Sequence, residues 1–231
     1  MLRAFWDRWG QVLLLKRSIS EALATAMLLA TVVGSGIMGE RLSGGNVVLA
    51  LLANALATGA SLVALILTFG PVSGAHMNPL VTGAEMFLGR RTWQEFAAYV
   101  VAQTLGATFG VFAAHAIFEL PLLQTSTHIR AGAAQLTSEV LATFGLLGVI
   151  VAVGKTRPQA LPYAVGAYIS AAYWFTSSTA FANPAVTLAR ALTDTFSGIR
   201  PADVAGFILG QALGAILAVP LFAWLTNKET S

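Results

Sequence analysis

Long, continuous apolar stretches are the feature that most limits what this chain can fold into. A helix of roughly 20 apolar residues crosses the hydrocarbon core of a bilayer, which is about 30 Å thick. The 231 residues are 56% hydrophobic and only 10% charged, which excludes a soluble globular domain, and an outer-membrane barrel would show alternating polarity instead. The sequence predicts an all-α protein of the lipid bilayer with six transmembrane helices, at about 18–39, 47–69, 93–118, 136–154, 160–178 and 204–226.

The basic residues are distributed unequally between the two sides of these spans. Four of the 13 Lys and Arg residues fall on one side and the other nine on the opposite side. Because basic residues are enriched in cytoplasmic loops, the larger group predicts cytoplasmic N- and C-termini. The net charge of +3 reflects this topology and does not indicate a nucleic-acid partner. The smaller group is Arg41, Arg130, Arg190 and Arg200, and the larger includes Arg3, Arg8 and Lys228.

An internal repeat divides the chain into two halves with the same order of features. Each half contains three spans, an odd number, so the two halves must cross the membrane in opposite orientations. Inverted repeats of this kind place a binding or permeation site near the bilayer midplane. We therefore predict one channel domain, 1–231, made of a first half at 18–118, a connecting loop at 119–135 and a second half at 136–226. The matching segments are 20–25 with 138–143, 77–82 with 182–187, and 103–107 with 211–215.

An Asn-Pro pair stands at the same place in each half, after a long apolar span. Asn is a favoured N-cap and Pro is favoured at the first helical position, so each pair predicts a helix start. The helices are predicted over Pro79–Gly89 and Pro184–Asp194, about 16 Å each, which is half a bilayer. Their N-termini would meet at the centre and repel cations through their dipoles. The amides of Asn78 and Asn183 could then donate hydrogen bonds to a passing neutral solute.

The paired motifs Asn78-Pro79-Leu80 and Asn183-Pro184-Ala185, with a glutamate in the first and fourth spans, resemble the aquaporin (major intrinsic protein) superfamily over essentially the whole chain. The resemblance implies an aquaporin-like fold of six tilted helices and two re-entrant half-helices, assembled as a homotetramer with one pore per subunit. It also implies that Glu21 and Glu139 are buried structural acceptors that hold the re-entrant segments. Alternatively, these two acids are the coupling carboxylates of an ion-driven transporter, because acids inside the membrane are often functional.

The resemblance also implies a four-residue constriction on the outer side of the Asn-Pro pair, at Thr58, Ala171, Ala180 and Val186. The family usually has a large aromatic residue at the first position and an arginine at the last. This sequence has neither, so a wider and less polar opening is expected. Strict selectivity for water is therefore not expected.

Arg190 lies four residues beyond Val186, one helical turn of about 5.4 Å nearer the outside. One interpretation places Arg190 in the outer vestibule, where it attracts polar or anionic solutes. The other pairs it with Asp194 on the next turn, in a purely structural role.

The function we expect is a passive channel for small uncharged solutes, such as glycerol-sized molecules and neutral metalloids including arsenicals. The missing constriction arginine and the segment Asn183–Arg190 resemble the bacterial group associated with arsenic-resistance gene clusters, which implies a bacterial inner membrane. The alternatives are an ion-coupled secondary transporter, a water-selective aquaporin and a junction-forming membrane protein. No cluster of residues has catalytic or metal-ligand spacing, so we expect no enzyme activity, cofactor or metal.

Overall fold

The computed structural model describes residues 2–227, with side chains from Leu13 onward, and every regular element in this range is helical. The side chains of Arg3 and Arg8 and the whole of Lys228, used in the charge argument, lie outside the described part. The helices are α1 (Leu2–Leu42), α2 (Val47–Ser73), α3 (Pro79–Phe87), α4 (Trp93–Ile117), α5 (Ala133–Thr156), α6 (Leu161–Phe175), α7 (Pro184–Arg190) and α8 (Pro201–Leu225), and a 3-10 turn (Pro158–Ala160) precedes α6.

Five of these helices are long and apolar enough to cross a membrane. They are α2, α4, α5, α8 and the part of α1 from Leu13 to Leu42, and each contains 24 to 30 residues. Their starts follow from local sequence. Asn46 caps α2 by accepting hydrogen bonds from the backbone of Val48 and Leu49, and Thr92 and Glu95 form a capping box at the start of α4.

Helix α6 is shorter than the span predicted at 160–178. It contains 15 residues and rises about 22 Å. The 3-10 turn before it adds about 6 Å, so that the pair covers most of the hydrocarbon thickness. The helix ends at Phe175 because the chain becomes extended at Thr176 and then adopts positive φ angles at Thr179 and Ala180.

The two halves repeat the same helix packing. Helix α1 packs along α4 in the first half, as α5 packs along α8 in the second, and α2 packs on α6 across the boundary between halves. A Cβ on Gly106 would overlap the backbone carbonyl oxygen of Ala22, and one on Gly214 would overlap that of Val140. Glycine is therefore required at these two positions for the close approach of the helices.

The two short helices α3 and α7 contact each other in the interior of the bundle. They contain nine and seven residues, fewer than the 11 or so predicted, because Gly89 ends the first with a φ of 72° and α7 closes in a turn at Ala191. The segment before each short helix has non-glycine residues at positive φ, namely Ala75, Met77, Thr179, Ala180 and Ala182. Each costs about 1–3 kcal/mol and persists only where the surroundings fix it.

Candidate functional site

Asn78 and Asn183 cap the two short helices in the same way. The side-chain oxygen of Asn78 accepts a hydrogen bond from the Leu80 amide at 2.9 Å, and that of Asn183 accepts one from the Ala185 amide at 3.0 Å. In both motifs proline occupies the first helical position, where it lacks only an amide that would have no partner within the helix. The third residue of each motif, Leu80 or Ala185, thus gives its amide to the cap.

The two asparagines also bond across the boundary between halves. The Asn78 amide donates to the carbonyl of Ala182 at 2.8 Å, and the Asn183 amide donates to the carbonyl of Met77 at 2.7 Å. A side-chain amide has two N–H bonds. One N–H of each asparagine therefore has no acceptor among the described residues, and both side chains line the same cavity. The arrangement presents two donors to whatever occupies that cavity.

Glu21 is fully buried and holds the first re-entrant segment. One carboxylate oxygen accepts from the Ser73 hydroxyl at 2.6 Å and the His76 amide at 2.9 Å. The other accepts from the Met77 amide at 2.7 Å and from Gln103 at 2.8 Å. Charge-assisted bonds of this kind are about twice as strong as neutral ones, so they fix the strained backbone at Met77.

Glu139 holds the second re-entrant segment in the equivalent way and is also fully buried. Its oxygens accept from the amides of Phe181 at 3.0 Å and Ala182 at 2.9 Å, and from the side chain of Gln211 at 2.6 Å. Neither Glu139 nor Glu21 lines the cavity.

Gln103 and Gln211 connect each glutamate to a short helix, a role that was not predicted from the sequence. Each glutamine amide donates to a threonine hydroxyl, and that hydroxyl donates to the carbonyl of the capping asparagine. The repeat could have predicted this role, because both glutamines fall in segments that match between the two halves. The two chains of bonds are Gln103 to Thr82 at 3.0 Å and Thr82 to Asn78 at 3.1 Å, and Gln211 to Thr187 at 2.9 Å and Thr187 to Asn183 at 2.8 Å.

A cavity of about 300 Å³ passes both asparagines. Arg90 and Arg91 line one end, which we call the inner end, and Arg190 lines the other, which we call the outer end. Most of the cavity wall between the two ends is apolar, so a solute meets polar groups on only a small part of that wall. The apolar lining includes Leu28, Val32, Leu62, Ile66, Leu146 and Ile150.

Three of the four residues predicted for the constriction line this cavity. Thr58, Ala180 and Val186 are all buried and lie along its wall. The hydroxyl of Tyr173, which the sequence analysis did not single out, lies 3.2 Å from that of Thr58. A tyrosine thus lies beside Thr58, where we had expected an alanine.

The predicted position of Ala171 is wrong. Helix α6 buries Ile169, Ala172 and Tyr173, whereas Ala171 is exposed on the outer surface of the bundle and does not line the cavity. Because successive residues of a helix are separated by about 100°, Ala171 lies roughly 200° around the helix from Ile169. The opening is consequently narrower on this side than two alanines would make it.

Arg190 is buried within the outer end of the cavity and is only 2% exposed. Its guanidinium carbon lies 3.4 Å from the centroid of the Phe181 ring, and its Nε donates to the carbonyl of Ser197. The alternative pairing with Asp194 is wrong, because Asp194 is exposed and instead accepts hydrogen bonds from the backbone and hydroxyl of Thr127 at 2.7 and 2.9 Å.

The profile of one protein family, Major intrinsic protein, matches residues 8–177 of this chain. The chain belongs to the major intrinsic protein family. An aquaglyceroporin of Rhizobium meliloti, AqpS, is 51% identical over 92% of this chain and 91% of its own length. Aquaporin NIP2-1 of Oryza sativa is 30% identical over 94% of this chain and 72% of its own length.

A solved structure supports the same assignment at the level of the fold. The aquaglyceroporin of Plasmodium falciparum matches with a TM-score of 0.69 and 22% identity, over 91% of this chain and 96% of the other. This match confirms the expected all-α aquaporin fold. Aquaglyceroporins of the major intrinsic protein family are membrane channels, so the expectation that this chain is a channel and not an enzyme is also confirmed.

Each end of the pathway in this major intrinsic protein has an arginine that bonds to a serine carbonyl. Arg91 donates to the carbonyl of Ser73 at 2.8 Å, and Arg130 donates to that of Ser178 at 3.4 Å. Arg130 comes from the connecting loop and lies 5.1 Å from the centroid of the Phe181 ring, where desolvation lowers the pKa of its guanidinium. At the outer end, therefore, Arg190 lines the cavity, and Arg130 contacts the same aromatic ring without lining the cavity itself.

Proposed function

We propose that this chain is a passive channel for uncharged solutes of about the size of glycerol, and that neutral metalloids such as arsenicals belong to the same class. The observation that carries the proposal is the cavity that runs between the inner and outer ends past the amides of Asn78 and Asn183. The relative that is 51% identical is named an aquaglyceroporin, which supports solutes larger than water.

The polar groups at the centre of the cavity favour neutral solutes. Asn78 and Asn183 each offer an N–H donor there, and the N-termini of α3 and α7 add partial positive charge. The two acids of the neighbouring helices, Glu21 and Glu139, are withdrawn from the cavity. A cation therefore meets no carboxylate at this level, whereas a hydroxylated neutral molecule can accept hydrogen bonds.

The lining of the outer end supports solutes of glycerol's size over strict water selectivity. Val186 occupies the position where the family usually has arginine, and Ala180 adds little bulk. Tyr173 makes the opening narrower than Ala171 would have made it, and its hydroxyl adds a polar group beside Thr58. The lining thus combines small apolar side chains with polar groups, which suits a small polyol or a neutral hydroxylated metalloid.

The ion-coupled transporter is disfavoured by the bonds of Glu21 and Glu139. A coupling carboxylate must reach the solute pathway and exchange protons or ions with it. Each of these acids instead bonds to backbone amides and a glutamine, and neither lines the cavity. Both fit the proposed role of structural acceptors.

We further propose that four subunits assemble in a bacterial inner membrane with cytoplasmic termini, each subunit containing its own pore within one channel domain of two inverted halves. Many apolar side chains on the outside of α1, α2, α4 and α8 are exposed, and these surfaces can meet either lipid or a neighbouring subunit. Chemical cross-linking in native membranes tests the assembly, and protease access to the termini in oriented vesicles tests the orientation.

The experiment that tests the proposed function compares glycerol and water permeability by stopped-flow light scattering on reconstituted vesicles. The wild type, Val186→Arg and Val186→Met are compared, because methionine controls for side-chain size without charge. We expect the wild type to pass glycerol without an ion gradient, and Val186→Arg to lose most of that flux while Val186→Met keeps more of it. A wild type that passes only water, or that requires an ion gradient, would overturn the proposal.

A further inference from the structure

The outer end of the cavity contains a buried positive charge that no carboxylate of the described residues pairs with. Arg190 is 2% exposed, and the only hydrogen bond of its side chain among the described residues runs from Nε to the carbonyl of Ser197. Its terminal nitrogens have no protein acceptor in that part of the chain, although the residue lines the cavity. Burying a charge is costly unless a partner compensates it, so the charge of Arg190 points to a partner that enters through the cavity.

A second arginine increases the positive potential at the same place. Arg130 lies on the Phe181 ring at 5.1 Å, and its bonds go to three carbonyl oxygens, those of Ser178, Phe196 and Gly198. None of these acceptors carries a formal charge.

Glu139 is close enough to interact electrostatically with both arginines, but it does not form a salt bridge with either of them. Its carboxylate oxygens already bond to the amides of Phe181 and Ala182 and to Gln211. Asp203 accepts a hydrogen bond from the backbone amide of Arg130, and its charge is paired with that of Arg200. Two guanidinium groups near one carboxylate leave an excess of one positive charge. That excess lies at the outer end of the cavity, beside the ring of Phe181.

We propose that the outer end binds a small oxyanion, held by the terminal nitrogens of Arg190. The planar fork of a guanidinium matches two oxygens of one anion, which distinguishes an oxyanion from a halide. The packing of Arg190 against Phe181 and its bond to Ser197 fix the orientation of the fork before any ligand arrives. Thr58 and Tyr173 line the same cavity, and because their hydroxyls bond to each other, the pair adds one further donor.

An oxyanion at this site occupies the route of neutral solutes, so it reduces their flux while it is bound. This consequence rests on the proposed channel function, whereas binding itself does not. Among the described residues, the lining beyond Arg190 offers an anion no further arginine or lysine until Arg90 and Arg91 at the inner end. The anion is therefore held at the mouth as a competitor of glycerol.

Binding is tested on the purified, detergent-solubilised protein with inorganic phosphate as the probe. Melting temperatures are measured over increasing phosphate, with chloride added to hold the ionic strength constant. We expect a saturable rise for the wild type, because a ligand that binds only the folded state stabilises it. Arg190→Met should abolish the rise. Arg41→Met should preserve it, since Arg41 also packs on a phenylalanine ring and bonds to a carbonyl but is exposed and outside the cavity.

The wild type alone can overturn the proposal, so the test does not depend on the folding of Arg190→Met. No rise in the wild type, or an equal rise in Arg190→Met, would refute the site. Arg190→Lys provides a second variant, because it keeps the charge without the fork. We expect its half-saturating phosphate concentration to be about tenfold higher than that of the wild type.

The effect on transport is measured as glycerol flux into vesicles with phosphate on the side of the outer end. We expect phosphate to slow the flux of the wild type and of Arg41→Met, and to leave that of Arg190→Met unchanged. A melting shift without slower flux would contradict a site on the solute route. If the wild type passes no glycerol at all, the proposed function fails, whereas the melting shifts still decide whether the oxyanion site exists.

Discussion

Asn78 in the first half donates its side-chain amide to the carbonyl of Ala182 in the second, at 2.8 Å, and the reverse bond joins Asn183 to Met77. Each asparagine thus performs two tasks, because its oxygen caps its own helix while its nitrogen holds the opposite segment. The donors that face the cavity are fixed by both halves at once. Neither asparagine side chain can therefore rotate away from a solute without losing its own helix cap and its bond to the opposite segment.

Asn78→Asp separates these two tasks. Aspartate caps a helix as well as asparagine does, but it has no N–H for the carbonyl of Ala182 and adds a negative charge at the centre of the cavity. We expect a loss of about 1–3 kcal/mol in stability and a measurable cation leak in vesicles. Asn46→Asp is the matched control. The side-chain oxygen of Asn46 caps α2, and its side-chain nitrogen has no hydrogen bond among the described residues. If both variants behaved alike, the bond between the halves would be unimportant.

The constriction can be tested with two alanines, one that lines the cavity and one that does not. Ala180 lines the cavity, as Val186 does, whereas Ala171 lies on the exposed side of α6. We expect Ala180→Leu to reduce glycerol flux several-fold more than water flux, and Ala171→Leu to change neither. Stopped-flow light scattering on vesicles that contain each variant measures both fluxes. A large loss of glycerol flux in Ala171→Leu would instead support the prediction from the sequence that Ala171 lines the constriction.

The residues that form the hydrogen-bond network at the centre of the bundle are those that the repeat anchors in the sequence. Asn78, Asn183, Glu21 and Glu139 lie in segments that match between the halves, so each prediction had an independent counterpart. Ala171 had none, because it was placed by counting along α6. A shift of two residues turns a helical side chain by about 200°, enough to replace Tyr173 in the lining by an alanine that faces outward.

The environment of Arg190 could not be predicted from the sequence, because it depends on loops. Its bond goes to Ser197, in the turn after α7, and its ring partner Phe181 lies in the extended segment before that helix. The helical period placed Arg190 on the face of Val186 but could not choose between the cavity and Asp194. The connecting loop makes the difference, because Thr127 donates hydrogen bonds to Asp194. Asp194 is therefore not paired with Arg190.

Both buried glutamates should contribute to stability and not to ion coupling. In Glu21→Gln and Glu139→Gln one oxygen becomes an amide that faces other N–H donors, so we expect each variant to lose about 2 kcal/mol or more in stability. Glycerol flux per folded channel should be insensitive to a proton gradient in the wild type. Thermal unfolding and gradient-dependent flux are the measurements, and Glu40→Gln at an exposed site is the control. Gradient-driven accumulation of solute would instead support coupling.

Close packing of α1 on α4 predicts opposite effects for two glycines in long helices. A Cβ at Gly106 would overlap the carbonyl of Ala22, whereas one at Gly206 would meet nothing within 4 Å. We expect Gly106→Ala to destabilise the protein by about 1–3 kcal/mol, because the helices must separate. Gly206→Ala should stabilise it by about 0.5–1 kcal/mol, because alanine is the better helix former. Equal melting temperatures for the two variants would contradict this packing.

The link between Asp194 and Thr127 should make the connecting loop sensitive to acid. Hydrogen bonds from the backbone and hydroxyl of Thr127 lower the pKa of Asp194 from its ordinary 3.8. A carboxyl whose pKa is lower in the folded state contributes stability above its ordinary pKa, and that stability is lost as the pH falls through the folded value. Asp194→Asn imitates the protonated side chain, since it keeps an oxygen acceptor without the charge.

The melting temperature of the wild type should therefore exceed that of Asp194→Asn at about pH 6 and converge with it towards about pH 2. The difference should be small, because Asp194 is exposed and solvent screens its charge. Added salt should reduce it further at the higher pH, since screening weakens a charge-assisted bond at the surface. A constant difference across the whole pH range would mean that the charge of Asp194 does not contribute to the attachment of the loop.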